Sequence, residues 1–531
     1  MSDESLKDEQ QKSVGRRMGI AALILSVSIL LSRVLGFLRE AIIAHLHGAS
    51  AATDAYYAAF TVPDLMNYFL AGGTLSITFI PLFSAHMSKG DEAGGWRLFS
   101  TVATTMGAML IVFTVLLTIF TPELIPHLFP GFSGNAEQLA LTVRMTRIVL
   151  PAQLAFYLGG LISATLFVRE TFWPSAISPL IYNLGIILGG VALAPWLGIE
   201  GFSVGVLVGA VLGPLGVPLW AARKDIQFKF RFAPRDPDFR KFVWVTIPLM
   251  LGVSLVTVDE WLLRYFGSMH NEGAISWLNN SRKLMMFGFA VIGQAAGQAA
   301  LPYLTRLYHQ GKAIELGDML SNSLRRVAFV SMVAAAGLVA LAQPIVFVVF
   351  RRGAYSATDA QMTSTLLVIF ALGLTAWAVQ TLAVRGFYAC EDTWTPMVLG
   401  SIVTVVSAPL YWFLNGQYGL PGLAASTTIG MSVNAVATLV VFRTRGGHLP
   451  VAPIAKGAIR GLAFALACGV PAWFAAGFAT GIEPPDMASQ LLALVAGGGV
   501  FGLIAAILVV VVRPEELEVV VGKIARRLKR R

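Results

Sequence analysis

Arginines and carboxylates recur in this chain inside stretches otherwise built from Leu, Ile, Val, Ala and Gly. The first apolar stretch carries Ser32-Arg33-Val34-Leu35-Gly36-Phe37-Leu38-Arg39-Glu40, and Asp54 stands just before the next. A second group opens the other half of the chain, with Asp259, Glu260 and Arg264 in one stretch and Arg282 and Lys283 near the start of the following one. Arg144 and Arg147 add two further cations. An ionisable side chain in hydrocarbon costs roughly 2.5–3.5 kcal/mol on insertion scales, so each should face a cavity or a partner. Guanidinium is planar, stays charged and offers a fork of donors matching phosphate. A cavity with surplus arginine therefore predicts a phosphate or pyrophosphate ligand.

Helix geometry limits how these groups combine. Arg33 and Glu40, seven apart, share a face, whereas Arg39 is turned well away from Arg33 on an ideal helix. Both arginines reach one ligand only across a wide cavity or if the helix bends, and Gly36 offers a bending point. Pairing is the competing explanation: Arg39 with Glu40, and Arg264 with Asp259 or Glu260, would fix helix register. Asp54 could pair with Arg33 or Arg39. Arg33 and Arg282 have no acid close by in sequence. Lys283 reads as a side chain that snorkels to the interface. Asp259 has two readings, a carboxylate holding Na⁺ or a proton for coupling, or a salt bridge to Arg264. Arg351-Arg352 falls at an outer boundary, where it can hold lipid phosphates or form an electrostatic entrance or exit for a lipid.

The elements that carry these side chains follow from composition. Of 531 residues, 56% are hydrophobic and 13% charged, and mean hydropathy is +0.71. A soluble domain carries roughly 25% charged residues. The apolar runs are continuous and about 20 residues long, enough to cross a bilayer as helices, whereas a membrane β-barrel needs alternating segments of about 10. The expectation is an all-α polytopic membrane protein with about fourteen transmembrane helices, centred from near residue 32 to near residue 500. No small-residue cleavage site follows the first run, which therefore reads as an uncleaved span.

The connections divide by charge. One set holds Lys12, Arg16 and Arg17, Lys89 and Arg97, Arg169, the basic stretch from Arg223 to Lys241, Arg306 and Lys312, Arg443 to Arg460, and the end from Lys523 to Arg531. The alternate loops at 122–138, 195–200, 414–420 and 480–488 hold no Lys or Arg. The positive-inside rule then places both termini in the cytoplasm. The net charge of +10 reflects topology and a basic end, Glu515 to Arg531, on the anionic inner leaflet, and requires no nucleic acid.

The halves match at a constant offset: Pro81 with Pro302, Gly198 with Gly419 and Gly201 with Gly422 are each 221 residues apart, and Pro174 with Pro396 are 222 apart. Each repeat holds six spans, so the halves share one orientation, as in transporters that bind substrate between parallel repeats. The organisation reads as a cytoplasmic tail (1–17), a six-helix bundle (18–223), a basic linker (224–241), a second bundle (242–445), two additional helices (446–513) and a basic tail (514–531). Cys390 and Cys468 read as packing residues, and the seven histidines have no metal-ligand spacing. No P-loop occurs. These observations call for no metal, cofactor or catalytic residue, with a Na⁺ or H⁺ gradient, the membrane potential or the substrate's metabolic pull as energy source.

Several motifs in order carry a family resemblance. Ser32-Arg33-Val34-Leu35-Gly36-Phe37-Leu38-Arg39-Glu40, then Ala52-Thr53-Asp54-Ala55 and Pro63-Asp64-Leu65, resemble the N-terminal signature of the MurJ (MviN) family. These are lipid II flippases of the multidrug/oligosaccharidyl-lipid/polysaccharide exporter superfamily. Ser276-Trp277 with Ser281-Arg282-Lys283-Leu284, Arg352-Gly353-Ala354-Tyr355 with Asp359-Ala360, and Gly386-Phe387-Tyr388-Ala389 with Asp392-Thr393-Trp394-Thr395-Pro396 are similar to its later motifs. The resemblance covers about residues 20–445. It implies two six-helix bundles, a cationic cavity, and two C-terminal helices shaping a groove for a lipid tail. By position, Arg33, Arg39, Asp54 and Arg282 match residues the family needs for substrate binding, with Glu40 and Arg352 in support and Asp259 as a cation-coupling candidate. The implied ligand is a polyprenyl-pyrophosphate-linked glycan, lipid II, held by Arg33, Arg39 and Arg282 in a monomer of the bacterial cytoplasmic membrane.

The sequence departs from the family at Glu40, usually Asp; at Asn67, usually a cavity arginine; and at Gly72-Gly73, usually Glu-Gly. Loss of one cation and one acid together fits loss of a compensating pair, and also a flippase for another lipid-linked glycan. A drug/cation antiporter of similar fold should favour acids over arginines. A membrane-embedded glycosyltransferase or phosphatase should show clustered acids or a nucleophile, and a scaffold would need no intramembrane arginine.

Overall fold

The computed structural model describes residues 27–70, 78–251, 255–445, 447–479 and 486–517. The N-terminal tail, Gly72-Gly73 and the basic end beyond residue 517 lie outside the described residues. The helices are α1 (27–47), then α2 (Ala51–Ala59), α3 (Thr61–Leu70), α4 (Ile80–Ser88), α5 (Glu92–Leu128), α6 (Ala136–Val149), α7 (Ala152–Val168), α8 (Trp173–Leu197), α9 (Glu200–Ala210), α10 (Val217–Ala222) and α11 (Pro237–Leu251). They continue as α12 (Leu255–Gly267), α13 (Ala274–Phe289), α14 (Ala295–His309), α15 (Ala313–Ala340), α16 (Ala342–Phe350), α17 (Ala357–Leu372), α18 (Leu374–Ala389), α19 (Trp394–Thr444), α20 (Val451–Ala479) and α21 (Met487–Val512).

The protein is an all-helical multi-pass membrane protein. α21 shows the logic: its buried residues are Ser489, Gln490, Ala493 and Gly497, while Val495, Leu503, Val510 and Val511 are exposed. Lipid tails are as apolar as Leu, so association is driven by close packing of small and polar residues. Against the fourteen spans expected, nine described helices are long and apolar enough to cross, ten if α17 and α18, bent by 40°, count as one. Continuity accounts for much of the difference. α3, α11 and α12 each adjoin residues outside the description, α1 is long enough but carries Arg33, Arg39 and Glu40, and α19 merges two expected spans across a break at Gly419.

Two compact units result. The first holds α1 as far as Ile43 and α2–α11; the second holds Ala44–Ser50 and α12–α21. The sequence starts the second bundle at residue 242, but α11 packs on α3 and α5, buries Phe239 and Phe242, and places the Thr246 hydroxyl 3.3 Å from that of Thr78. The division therefore follows α11. In the second unit, α20 packs on α15, and α21 on α20 and α16.

The internal repeat is visible in backbone conformation. Gly198 (φ 54°, ψ −134°) and Gly419 (φ 61°, ψ −137°) break their helices in the same way. At the same 221-residue offset, Gly90 (φ 73°) matches Gly311 (φ 70°), and Glu170 (φ 57°) matches Glu391 (φ 60°). The Gly198 and Gly419 conformation is nearly exclusive to glycine and costs other residues roughly 1–3 kcal/mol. Gly419→Ala is therefore expected to lower the melting temperature of the detergent-solubilised protein, and Gly198→Ala to lower it similarly. Unchanged melting in both would remove this account of the repeat.

Small residues also set a close helix contact. On α8, Gly185 and Gly189 meet Gly205 and Gly209 of α9, and a Cβ on Gly189 would lie 2.5 Å from the Gly205 Cα. In the loop before α5, Asp91 caps that helix, its side chain accepting from the Gly94 N–H. That hydrogen bond, with His86 beside it, holds the Asp91 carboxyl below the usual carboxylate range.

Candidate functional site

Each unit contains a buried arginine–carboxylate centre among the membrane-crossing helices. In the first, Glu40 on α1 is 1% exposed. Its Oε1 accepts from Arg39 Nε at 3.1 Å and Nη2 at 2.7 Å, and its Oε2 accepts from the Tyr57 hydroxyl at 2.7 Å. Arg39 Nη1 donates to Asn183 Oδ1 on α8 at 3.3 Å. The Asn183 amide in turn donates to Ser32 Oγ at 3.3 Å and to the Pro179 carbonyl at 2.9 Å. α1 runs unbroken through Gly36, and a Cβ there would sit 3.7 Å from Asn183 Oδ1. That is an ordinary contact distance, so packing on α8 does not require a glycine here, and the bend that would unite Arg33 with Arg39 is not made. Arg33 instead lines a groove of about 280 Å³ with Ser28, Ser32, Ser175 and Pro179. Asp54 is buried in the first turn of α2.

The second centre joins α12, α13 and α19. Arg282 Nη2 lies 3.0 Å from Asp259 Oδ2 and its Nη1 lies 3.1 Å from Glu260 Oε2, with the guanidinium 5.6 Å from the Trp377 ring centroid. Asp259 Oδ1 also accepts from Thr427 Oγ1 at 2.6 Å and from the Tyr411 hydroxyl. Arg264 reaches back one turn to Glu260 at 2.5 Å. The expected Asp259–Arg264 bridge gives way to this pair because residues four apart face each other on a helix. Arg282, read from sequence as lacking a nearby acid, has two. Glu260, Arg264, Asn279, Arg282 and Lys283 line a groove of about 230 Å³. Three cations face two acids, leaving a smaller positive surplus than the sequence suggested.

The other expected cavity cations lie elsewhere. Arg144 is paired with Glu200 of α9 at 2.7 Å, and Arg147 donates to the Thr118 carbonyl of α5 at 2.9 Å. Both serve helix packing. Arg352 is exposed in the turn after α16, and Arg351 lies over the Phe347 ring at 5.4 Å. The motif Asp359-Ala360 has a structural explanation: Ser356 and Asp359 form a capping box on α17, and Asp359 also accepts from Trp277 Nε1 at 3.0 Å. Asn67 lies in α3, partly buried. Among the described residues, no group of three or more His, Cys, Asp or Glu side chains could hold a metal ion.

Sequence reading did not find Tyr57, Asn183, Tyr411, Thr427 or Trp377. A lone Tyr, Asn or Thr in an apolar helix gives no spacing signal, and Tyr411 and Thr427 reach Asp259 across more than 150 residues of chain.

Glu40→Gln keeps volume but leaves Arg39 without its counter-ion. Breaking a buried pair costs roughly 3–5 kcal/mol, whereas Tyr57→Phe removes one hydrogen bond worth about 1 kcal/mol. Thermal unfolding of the solubilised protein should show a large loss for Glu40→Gln and a small one for Tyr57→Phe. Equal melting of Glu40→Gln and the parent would mean that Arg39 does not depend on Glu40.

The long-helix fold is that of a polytopic membrane protein. Two solved structures share it: one described as lipid II flippase MurJ in an inward closed conformation, with TM-score 0.76, 21% identity, and coverage of 93% of this chain and 100% of that one; and an inward-facing multidrug resistance MATE family transporter, with TM-score 0.66, 15% identity, and coverage of 82% and 99%. The chain belongs to the lipid II flippase MurJ family, whose model matches residues 43–511. Among relatives, it is 28% identical over 425 residues to a probable lipid II flippase MurJ of Rhizobium tropici, covering 79% of each chain.

Proposed function

We propose that this chain moves lipid II from the inner to the outer leaflet of the bacterial cytoplasmic membrane by alternating access, supplying cell-wall synthesis. The observation that carries the reading is the family match over residues 43–511, which includes the Arg282 centre and begins just after Arg39 and Glu40. Arg33, Arg39, Asp54 and Arg282 serve substrate binding, the guanidinium groups being suited to the pyrophosphate, with Glu40 in support. Arg352 contacts lipid phosphates at the outer boundary. Guanidinium forks suit a pyrophosphate, and at the second centre the three cations Arg264, Arg282 and Lys283 outnumber the two acids Asp259 and Glu260, the reverse of what a cationic drug would need.

The protein acts as a monomeric transporter and not as an enzyme, with both termini in the cytoplasm and a Na⁺ or H⁺ gradient or the membrane potential as its energy source. If Asp259 takes up the coupling ion, that ion exchanges with Arg282. A second reading, transport of another polyprenyl-pyrophosphate-linked glycan, is favoured by Asn67 and Gly72, where the family's usual arginine and acid are missing. Expression in a bacterium depleted of its own lipid II flippase separates the two. Restored growth with lipid II exposed on the outer leaflet supports the first reading, and correct insertion without rescue supports the second.

A further inference from the structure

Between α10 and α11 the chain runs as an extended strap, and its sequence alternates: Phe228-Lys229-Phe230-Arg231-Phe232. The strap is fastened to α5 by its backbone. The Lys229 N–H donates to Ser100 Oγ at 3.0 Å and the Arg231 N–H to Thr104 Oγ1 at 3.3 Å, one helical turn apart on α5. Phe228 meets the buried Phe99 edge-on at 6.5 Å. The remaining aromatic surface points outward: Phe228, Phe230 and Phe232 are 52%, 82% and 61% exposed. These phenylalanines lie outside the membrane-crossing helices, so spanning the bilayer does not account for them.

Position along α5 sets their depth. The exposed apolar face of α5 begins at Met109, five residues beyond Thr104, or about 8 Å at the helical rise. The strap therefore lies at the headgroup boundary. Trp220 and Trp173, in edge contact at 5.8 Å, and the exposed Trp244 occupy neighbouring segments, as tryptophans do at membrane interfaces. Arg223 stacks over Trp220 at 4.4 Å.

Charge supplies the second half of the argument. Residues 223–241 hold seven cations and three acids. The acids are all engaged: Asp225 with Arg169 at 3.2 Å, Asp236 with Arg231 at 3.2 Å, and Asp238 with His86 at 3.4 Å. Lys224, Lys229, Arg235, Arg240 and Lys241 have no ion pair with a described residue. The Asp225 and Asp238 pairs, with Arg169 also bound to Glu92 at 3.2 Å, gather the basic loops at one end of the first unit. The positive-inside rule makes that end cytoplasmic.

We infer that the strap Phe228–Phe232 is an interfacial anchor that binds anionic phospholipids of the inner leaflet, inserting Phe230 and Phe232 among acyl chains while Lys229 and its neighbouring cations hold headgroup phosphates. An acidic protein partner would use the cations but would leave the alternating phenylalanines no apolar medium at headgroup depth. The inference is independent of the transported substrate.

The test uses the full chain with Cys390→Ala and Cys468→Ala, and with Phe230→Cys carrying an environment-sensitive fluorophore. The protein is reconstituted in nanodiscs of phosphatidylcholine alone or of an equal mixture with phosphatidylglycerol. In the anionic bilayer the emission should shift to the blue and the fluorophore should resist aqueous iodide. Each neutralised cation, Lys229→Gln or Arg235→Gln, should lower the ratio of inserted to exposed probe by about fivefold. Full iodide access in both bilayers would overturn the inference and leave the strap as a surface for an acidic protein. Equal protection in both bilayers and in detergent would also overturn it, because the protein itself would then cover the probe.

Discussion

Arg282→Ala is expected to abolish lipid II transport in the depletion strain and to lower the thermal stability of the purified protein. The guanidinium spans Asp259 and Glu260 at 3.0 and 3.1 Å, so truncation leaves Asp259 without the guanidinium it pairs with and Glu260 with Arg264. Removing one partner of a buried pair is destabilising by roughly 3–5 kcal/mol. Loss of function alone is therefore ambiguous, and two further variants separate fold from chemistry. Arg282→Lys keeps the charge but replaces the planar fork with a point charge, and should recover much of the stability with little transport. Arg282→Met combined with Asp259→Asn removes that pair while Glu260 keeps Arg264, and should also recover stability, because a buried ion pair replaced by neutral groups of similar size is often tolerated. Transport should remain absent. Wild-type transport in that double variant would show that Arg282 only neutralises its neighbours and does not engage pyrophosphate.

The second large effect is expected from Gly205→Leu, which should prevent accumulation of folded protein. A Cβ at Gly205 would stand 2.8 Å from the Gly185 carbonyl oxygen, 2.9 Å from that of Ile186 and 3.0 Å from the Ile186 Cα. All three are backbone atoms of a packed helix and cannot rotate aside. In lipid, helix association depends on such close approach, with no hydrophobic driving force to replace it. Overpacking typically costs 1–3 kcal/mol, and a leucine here must separate α8 from α9 along the glycine-lined contact. Size-exclusion chromatography after detergent extraction provides the measurement. A monodisperse Gly205→Leu protein with parental melting would refute the assignment of this contact as essential. Gly416→Ala is the control, since a Cβ there meets nothing within 4 Å.

The arginine centres show how far local sequence reaches. Arg39 and Glu40 are adjacent, and their pairing was open to sequence reading because neighbours on a helix need no tertiary information. Arg264 with Glu260 is similar, although choosing Glu260 over Asp259 required only helical periodicity. Arg282 is the contrary case. Its partners lie more than twenty residues away on another helix, and nothing in spacing distinguishes an arginine aimed at a ligand from one aimed at a distant carboxylate. Arg144 shows the same ambiguity: read as a cavity cation, it is paired with Glu200, 56 residues on.

Sequence by itself determined the fold class, the sorting of loops by charge, the 221-residue repeat and which helices carry ionisable residues. Each is a property of hydropathy or of local backbone chemistry: apolar length specifies a span, and Gly198 and Gly419 are glycines because their conformation admits little else. Tertiary structure decided which charges neutralise one another, that α1 continues unbroken through Gly36, that α11 belongs with the first unit, and that a phenylalanine strap lies along α5. Those outcomes depend on which helices approach within hydrogen-bonding distance. That approach is set by small residues such as Gly185 and Gly205, whose partners are far apart in the chain and carry no mark of one another.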